Sequence, residues 1–398
     1  MKPLNFICKA VFSQNDRSIL KDSRLWLLLV GINTGGNLGF NYHFPIMEAL
    51  IALFLVLCLK FLMDKLSLTR NMVIYISFFI FIFILQAAYL PIFSVNTTIH
   101  YVLMIVVALM LVTLCGKDFP SYFSGIIFVY AIISLLCFFY ILIGGSISYY
   151  PVQDTNIDGG VVMRVYNLYY TQLGNPESGL VYGARNCGPF WEPGAFQGFL
   201  NLSLWFELTL NRKRDLYWKI RVAVFIITVL TTLSTGGYIV LFTILLFYFI
   251  QDKKNNSAWR IAGIAILLIM SIYAYTTLDF LGDKITSDEG RTVFSFTDFP
   301  NPLYAIAGYG YATEMFRQSS MSSASSIFNL FRYMGILGFM GYMLPLFFNR
   351  TYYKISFFII VSLILMNEPF LSNALIWWGM PFVFYDVFNK NKKVISKI

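Results

Sequence analysis

The sequence predicts an all-α polytopic membrane protein with about twelve transmembrane helices and two long outward-facing loops. Three observations carry that expectation. Of 398 residues, 58% are hydrophobic and 12% are charged, roughly half the charged share of a soluble domain. Runs without any charge, such as Met72 to Phe93 and Tyr122 to Ile143, are long enough to cross a bilayer. The charges are also asymmetric. Of 29 Lys and Arg, only Arg164, Arg185, Lys284, Arg291, Arg317 and Arg332 lie in or beside the two long polar stretches. The other 23 fall in the termini and in the loops of the opposite side, which sets both termini in the cytoplasm.

Residues 1–24 form a basic tail. The apolar run Leu25 to Ile32 lacks a signal-cleavage pattern and belongs to the mature chain. A first crossing at 25–40 is interrupted by Asn33, Gly35, Gly36, Asn37 and Gly39, the composition of a broken or re-entrant helix. Further spans are expected at 44–59, 72–93, 99–115, 122–143, 194–210, 218–234, 236–250, 258–274, 325–348, 352–366 and 371–387. The chain therefore divides into N-terminal helices (1–143), a first outer loop (144–193) and central helices (194–274). A second outer loop (275–324) and C-terminal helices with a cytoplasmic tail (325–398) complete it. The net charge of +9 sits in short loops, not in an aromatic-interleaved groove, so no nucleic-acid partner is expected. The five cysteines have neither disulfide nor metal spacing. No Walker or Rossmann pattern is present, and the outer loops hold no histidine.

The most informative stretch runs from Arg185 through Asn-Cys-Gly-Pro-Phe-Trp191 to Glu192-Pro193-Gly194. It reads as a helix entrance with a carboxylate at the positive end of the dipole. Arg185 stands within reach of an ion pair, and Glu192 has two readings, cap or reacting group. Five of the six outer basic residues are arginines, whose planar fork suits bidentate capture of phosphate. Arg332 falls about two turns inside a span, where a charge is costly and faces a polar cavity or snorkels. Gly335, Gly338 and Gly341 form a small-residue strip suited to helix packing. Ser234-Thr-Gly-Gly237 reads as a tight outer hairpin. His43 and His100 read as interfacial, and Glu48 as a partner for an inward arginine. Tyr149, Tyr150, Tyr166, Tyr169, Tyr170 and Tyr182 have two readings, an aromatic belt or platforms for sugar rings.

With these residues in place, the chain resembles the Wzy-type O-antigen polymerases of the O-antigen ligase-polymerase superfamily. The likeness rests on Arg185–Gly194, on Ser234–Gly237, and on Gly290-Arg291 with Asn301-Pro302 and Gly308-Tyr309-Gly310. Arg332 with Gly335 and Gly338 in a late span completes it. The resemblance implies a GT-C-like, metal-independent glycosyltransferase without a cofactor in the bacterial cytoplasmic membrane, its active site facing the periplasm. Its donor and acceptor would be undecaprenyl-diphosphate-linked glycans, with a chain-length regulator as a further partner. Glu192, Arg185 and Arg291 would be catalytic, and Arg185, Arg291, Arg332 and Arg317 would hold the diphosphate. Trp191, Tyr182 and Tyr309 would contact glycan. The missing loop histidine favours polymerase over ligase; a ligase and a lipid-linked-oligosaccharide flippase remain the alternatives.

Overall fold

The computed structural model describes residues 11, 20–37, 40, 45–91, 93–145, 162–166, 169–173, 185–210, 214–251, 302–310, 325–349 and 353–384. The chain is mostly helical. In order come α1 (Ser23–Asn33), α2 (Ile46–Met63), α3 (Arg70–Tyr89), α4 (Val95–Cys115) and α5 (Phe119–Leu142). Three strands follow, β1 (Val162–Tyr166), β2 (Tyr169–Leu173) and β3 (Arg185–Gly188). Then come α6 (Pro193–Leu210), α7 (Leu216–Thr231), α8 (Thr235–Gln251), α9 (Pro302–Ala307), α10 (Ser326–Phe347), α11 (Lys354–Asn367) and α12 (Phe370–Asn373). A 3-10 helix, Leu375–Phe382, closes the described chain.

Among the described residues, four stretches are long and apolar enough to cross a membrane: Ile46–Met63, Arg70–Tyr89, Val95–Leu142 and Ser326–Phe347. The third is two helices, α4 and α5, joined by a 3-10 turn that opens on Gly116 at φ 51°. Local chemistry sets the helix starts. Asp22, Thr69, Ser94 and Asp215 each accept a hydrogen bond from an N–H in the first turn of the helix they precede.

The sequence expectation fails in three places. The first loop is not structureless and the fold is not all-α, because β1, β2 and β3 form an antiparallel sheet in that order. Tyr166 pairs with Tyr169 across a tight hairpin, and a bulge between Tyr170 and Thr171 leaves Cys187 as the extra residue of β3. The valines and tyrosines of β1 and the paired tyrosines and threonine of β2 have strand character that a hydropathy reading passes over. Tyr169 and Tyr170 are buried, so neither is a membrane belt or an open sugar platform. The last expected span, 371–387, is over its described residues α12 and the 3-10 helix, and every residue of that 3-10 helix is buried. Eight residues of 3-10 helix reach only ~16 Å, and a bilayer core needs ~30 Å. Glu48 is exposed in the first turn of α2 and pairs with no arginine among the described residues. The span near 258–274 and His43 lie outside the described residues.

At the basic end of the bundle, Arg24 ties α1 to the α4–α5 turn. Its guanidinium bonds Asp22 at 2.6 Å and Asp118 at 3.1 Å, and also Tyr122 at 3.0 Å. Burial alone would raise the Asp22 carboxyl. Hydrogen bonds from Arg24 and Tyr122 outweigh it and hold it at about 2.

Inside the bundle, Glu207 of α6 and Arg221 of α7 form an ion pair with both side chains buried. The Arg221 guanidinium also lies 5.2 Å from the Phe128 ring of α5, and the Trp218 indole donates to the Glu207 carbonyl at 3.1 Å. Removing one member strands a charge in a dry interior, at a cost of about 3–5 kcal/mol. Glu207→Leu and Arg221→Met should therefore each lower the melting temperature sharply in detergent. The double variant should recover most of the loss, since two apolar groups replace two matched charges. A double variant no better than the worse single would show that the pair is not the operative unit.

Candidate functional site

The stretch from Arg185 to Glu192 dips into the helix bundle, and its middle is structural. Asn186 is buried and donates to Ser134 of α5 (3.2 Å) and Thr231 of α7 (2.9 Å). Its side-chain oxygen accepts from the Gly188 N–H at 3.0 Å. Gly188 sits at φ 54°, and a Cβ there would lie 2.6 Å from the Phe196 ring, so both backbone and space require glycine. Phe190 is fully buried, stacked on Phe199 at 4.2 Å and 13° and on Phe196 at 5.7 Å. It also pairs with Asn37, just beyond the broken end of α1. There Asn33 holds the turn through Tyr130 at 2.7 Å and Asn37 at 2.7 Å.

The ends of the stretch face different partners. Arg185 does not pair with Glu192. Its Nε donates to the Thr232 carbonyl at 3.2 Å and its Nη2 to the Leu233 carbonyl at 3.1 Å, gripping the α7–α8 hairpin. The first two sequence motifs thus meet, though by a grip on backbone. The Glu192 carboxylate accepts the Trp191 indole N–H at 2.8 Å, and its carbonyl accepts from Phe196 N at 3.1 Å. The capping is done by main chain, and the carboxylate stays half-exposed beside Trp191.

Sequence reasoning missed Glu368. This buried carboxylate occupies the space that a Cβ on Gly194 would fill, with Oε1 1.5 Å from that position, and so lies on the first turn of α6. Its carbonyl accepts from the Ser326 N–H (3.0 Å) and hydroxyl (2.5 Å) at the start of α10. The neighbouring Asn367 Oδ1 stands 2.2 Å from the Cβ position of Gly236, in the first turn of α8. Gln197 of α6 fills the corresponding space at Gly237, 2.9 Å away. Residues 367 and 368 therefore sit where the N-termini of α6, α8 and α10 converge, three ends that each carry partial positive charge. The Thr235 hydroxyl and the Gln197 amide N–H2 are buried there without a hydrogen-bond partner. A signal was present: Glu368-Pro369 repeats the Glu192-Pro193 dipeptide at the end of another apolar run.

The Gly308-Tyr309-Gly310 part of the third motif also meets the fourth. Gly335 breaks α10 at φ 65°, ψ −167°, a region that only glycine enters readily. The released carbonyls of Arg332 and Tyr333 accept from Tyr309 N at 2.9 Å and Gly310 N at 3.0 Å. Gln86 of α3 donates to Ala307 and Tyr333 carbonyls, both at 2.6 Å, and the Tyr89 hydroxyl donates to Gly308. A Cβ on Gly335 would meet Ile306 backbone at 2.3 Å, and one on Gly308 would meet Tyr333 backbone at 2.3 Å. Gly335 is thus a docking break, whereas Gly341, against the Phe78 ring, is a packing contact. Arg332 is half-buried beside this joint, and Tyr309 stacks on Tyr304 at 4.5 Å. Arg332 stands six residues, roughly 9 Å along α10, from the Ser326 contact with Glu368. Arg291, Arg317 and Tyr182 lie outside the described residues.

Gly335→Ala should cost about 1–3 kcal/mol in backbone strain alone, with the clash against Ile306 added. Hydrogen exchange should then rise in 302–310 before it rises elsewhere. Unchanged protection of that segment would show that the Gly335 break does not hold α9.

No family model matches the chain, and no curated protein or solved structure matches it.

Proposed function

We propose that this protein is a glycosyltransferase that joins undecaprenyl-diphosphate-linked oligosaccharide repeat units into O-antigen or a related surface polysaccharide. On this reading it is a GT-C-like multi-span protein in the bacterial cytoplasmic membrane, with fewer than the twelve crossings expected, working on the periplasmic side. The observation that carries the proposal is a two-sided arrangement at one end of the bundle. One side is cationic: Arg185 clamped on the α7–α8 hairpin, beside the start of α8 with its Thr235 hydroxyl unpartnered among the described residues; Arg332 on α10 joins it by resemblance. The other side is acidic: half-exposed Glu192 and buried Glu368, both at the start of α6.

The chemistry divides along the same line. The donor diphosphate lies toward the cationic side, where helix ends and guanidinium groups favour an anion. An acceptor hydroxyl lies toward Glu192. Its oxygen attacks the anomeric carbon, and the bond from that carbon to the diphosphate oxygen breaks with its electron pair leaving on undecaprenyl diphosphate. The hydroxyl proton passes to Glu192. Preorganised donors that meet the growing diphosphate charge contribute most to such a step. Glu368 holds the α6 entrance in place through Gly194, and Trp191 stands beside Glu192 to face a sugar ring. Arg291 and Arg317 join the cationic side by resemblance, and a chain-length regulator is the expected protein partner.

Glu192→Gln keeps shape and its indole contact but loses basicity. Polymer formation in vitro from purified lipid-linked repeat unit should fall a hundredfold or more at an unchanged melting temperature. Near-normal turnover would remove Glu192 from the reaction. In a deletion strain, single repeat units should still reach the surface lipid. Complete loss of surface glycan would mean a ligase, and repeat units trapped inside would mean a flippase.

A further inference from the structure

At the opposite, basic end of the bundle, a cleft of about 540 Å³ opens between α3, α10 and the final 3-10 helix. That volume lies within the ~300–1,000 Å³ range of ligand pockets. Ile74, Phe78, Met340, Leu344, Phe348 and Phe382 line most of it. Its inner limit is the contact between Gly341 and the Phe78 ring. Pro345, one turn further on, has no N–H to return to the Gly341 carbonyl, so α10 lacks one backbone hydrogen bond where it borders the cleft. From Met340 to Phe348 the cleft runs roughly 12 Å along the helix, a depth suited to a hydrocarbon chain and too great for a headgroup.

The rim has one sign of charge. Arg70 is exposed at the start of α3, next to Asn71, which lines the mouth. Lys354 Nζ lies 5.1 Å from the ring of Phe348, another lining residue, and 4.6 Å from Phe347. Asn349 lines the mouth as well and is fixed by its bond to the Pro381 carbonyl at 3.0 Å. The arrangement is therefore apolar in depth, amide-lined at its mouth and cationic at its rim.

We propose that this cleft binds an anionic glycerophospholipid of the adjoining leaflet, with one acyl chain between α3 and α10 and the phosphate between Arg70 and Lys354. The site is independent of the reaction at the other end of the bundle. It would brace the two helices where α10 is weakened by Pro345.

The test uses the full chain reconstituted in phosphatidylcholine bilayers with and without phosphatidylglycerol, followed by native mass spectrometry of retained lipid. Each basic side chain near the surface contributes on the order of fivefold, so the wild type should retain phosphatidylglycerol over phosphatidylcholine by roughly 25-fold. Leu344→Trp fills the cleft from a position 43% exposed and should abolish retention of either lipid, with an unchanged melting temperature in pure phosphatidylcholine. Ile74→Trp, from the facing wall and 55% exposed, does the same should Leu344→Trp fail to fold. The pair Arg70→Gln and Lys354→Gln should keep lipid retention but lose the preference. Equal retention by the wild type and the filled variants would overturn the proposal, as would a wild type without preference. Selective retention of a polyprenyl phosphate from total bacterial lipid would overturn it too, since the occupant would then be an isoprenoid.

Discussion

A helix broken inside an apolar layer releases backbone groups that hydrocarbon cannot satisfy. Among the described residues this chain breaks its helices at 34–37, at Gly335 and at 368–374, and the fold is built from the answers to those breaks. The first is closed by the Gly36 and Asn37 N–H groups, which donate to the Asn33 carbonyl, and by the Phe190 bridge to Asn37, with Tyr130 holding the Asn33 side chain. The second is closed by Tyr309 and Gly310 with help from Gln86. The third is closed by Ser326, which donates to the Glu368 carbonyl and accepts from the Leu371 N–H. Each answer includes a group from a distant part of the sequence, so each also fixes tertiary structure. The first and third breaks touch, because a Cβ on Gly35 would lie 2.0 Å from the Asn373 carbonyl oxygen.

This explains why glycine recurs in the stretches that stand out in the sequence. Gly194, Gly236 and Gly237 admit Glu368, Asn367 and Gln197 against the first turns of α6 and α8. Gly308 and Gly335 admit each other's backbone neighbours. A polar group in contact with a helix start must approach more closely than a Cβ permits. The glycines therefore mark where polar side chains are carried into an otherwise apolar bundle.

The legibility of the fold follows the same physics. Long apolar runs locate α2 to α8, α10 and α11 because hydropathy responds to the solvent around a helix. It does not distinguish lipid from protein interior, so the apolar run Leu371 to Phe384 reads as a crossing when it is a buried plug. Arg185 and Glu192 look like a pair because seven residues separate them in a supposed loop. In the fold Arg185 belongs to a strand and Glu192 follows a buried turn, and the strand directs the guanidinium to the α7–α8 hairpin. Glu368 escapes notice because its context reads as the end of a span. What it touches is set by Gly194, far away in sequence. Local chemistry names the glycines and arginines, but only tertiary structure says what fills the space beside them.

The resulting charge arrangement bears directly on the transfer proposed above. A site that merely bound an anion would gain nothing from carboxylates a few residues away and would lose affinity to their repulsion. Here the Glu368 carboxylate is held on the α6 start by three elements, α6, α10 and α11, so its position is structural and its charge offsets that helix end. The α8 start has no comparable carboxylate among its described contacts and has the Arg185 guanidinium just before it. The two neighbouring helix entrances thus differ in what lies against them, a carboxylate at α6 and an amide at α8. In the reaction proposed above, a diphosphate would lie toward Arg185 and a hydroxyl proton would pass to Glu192, the polarity that displacement of a diphosphate by an alcohol requires.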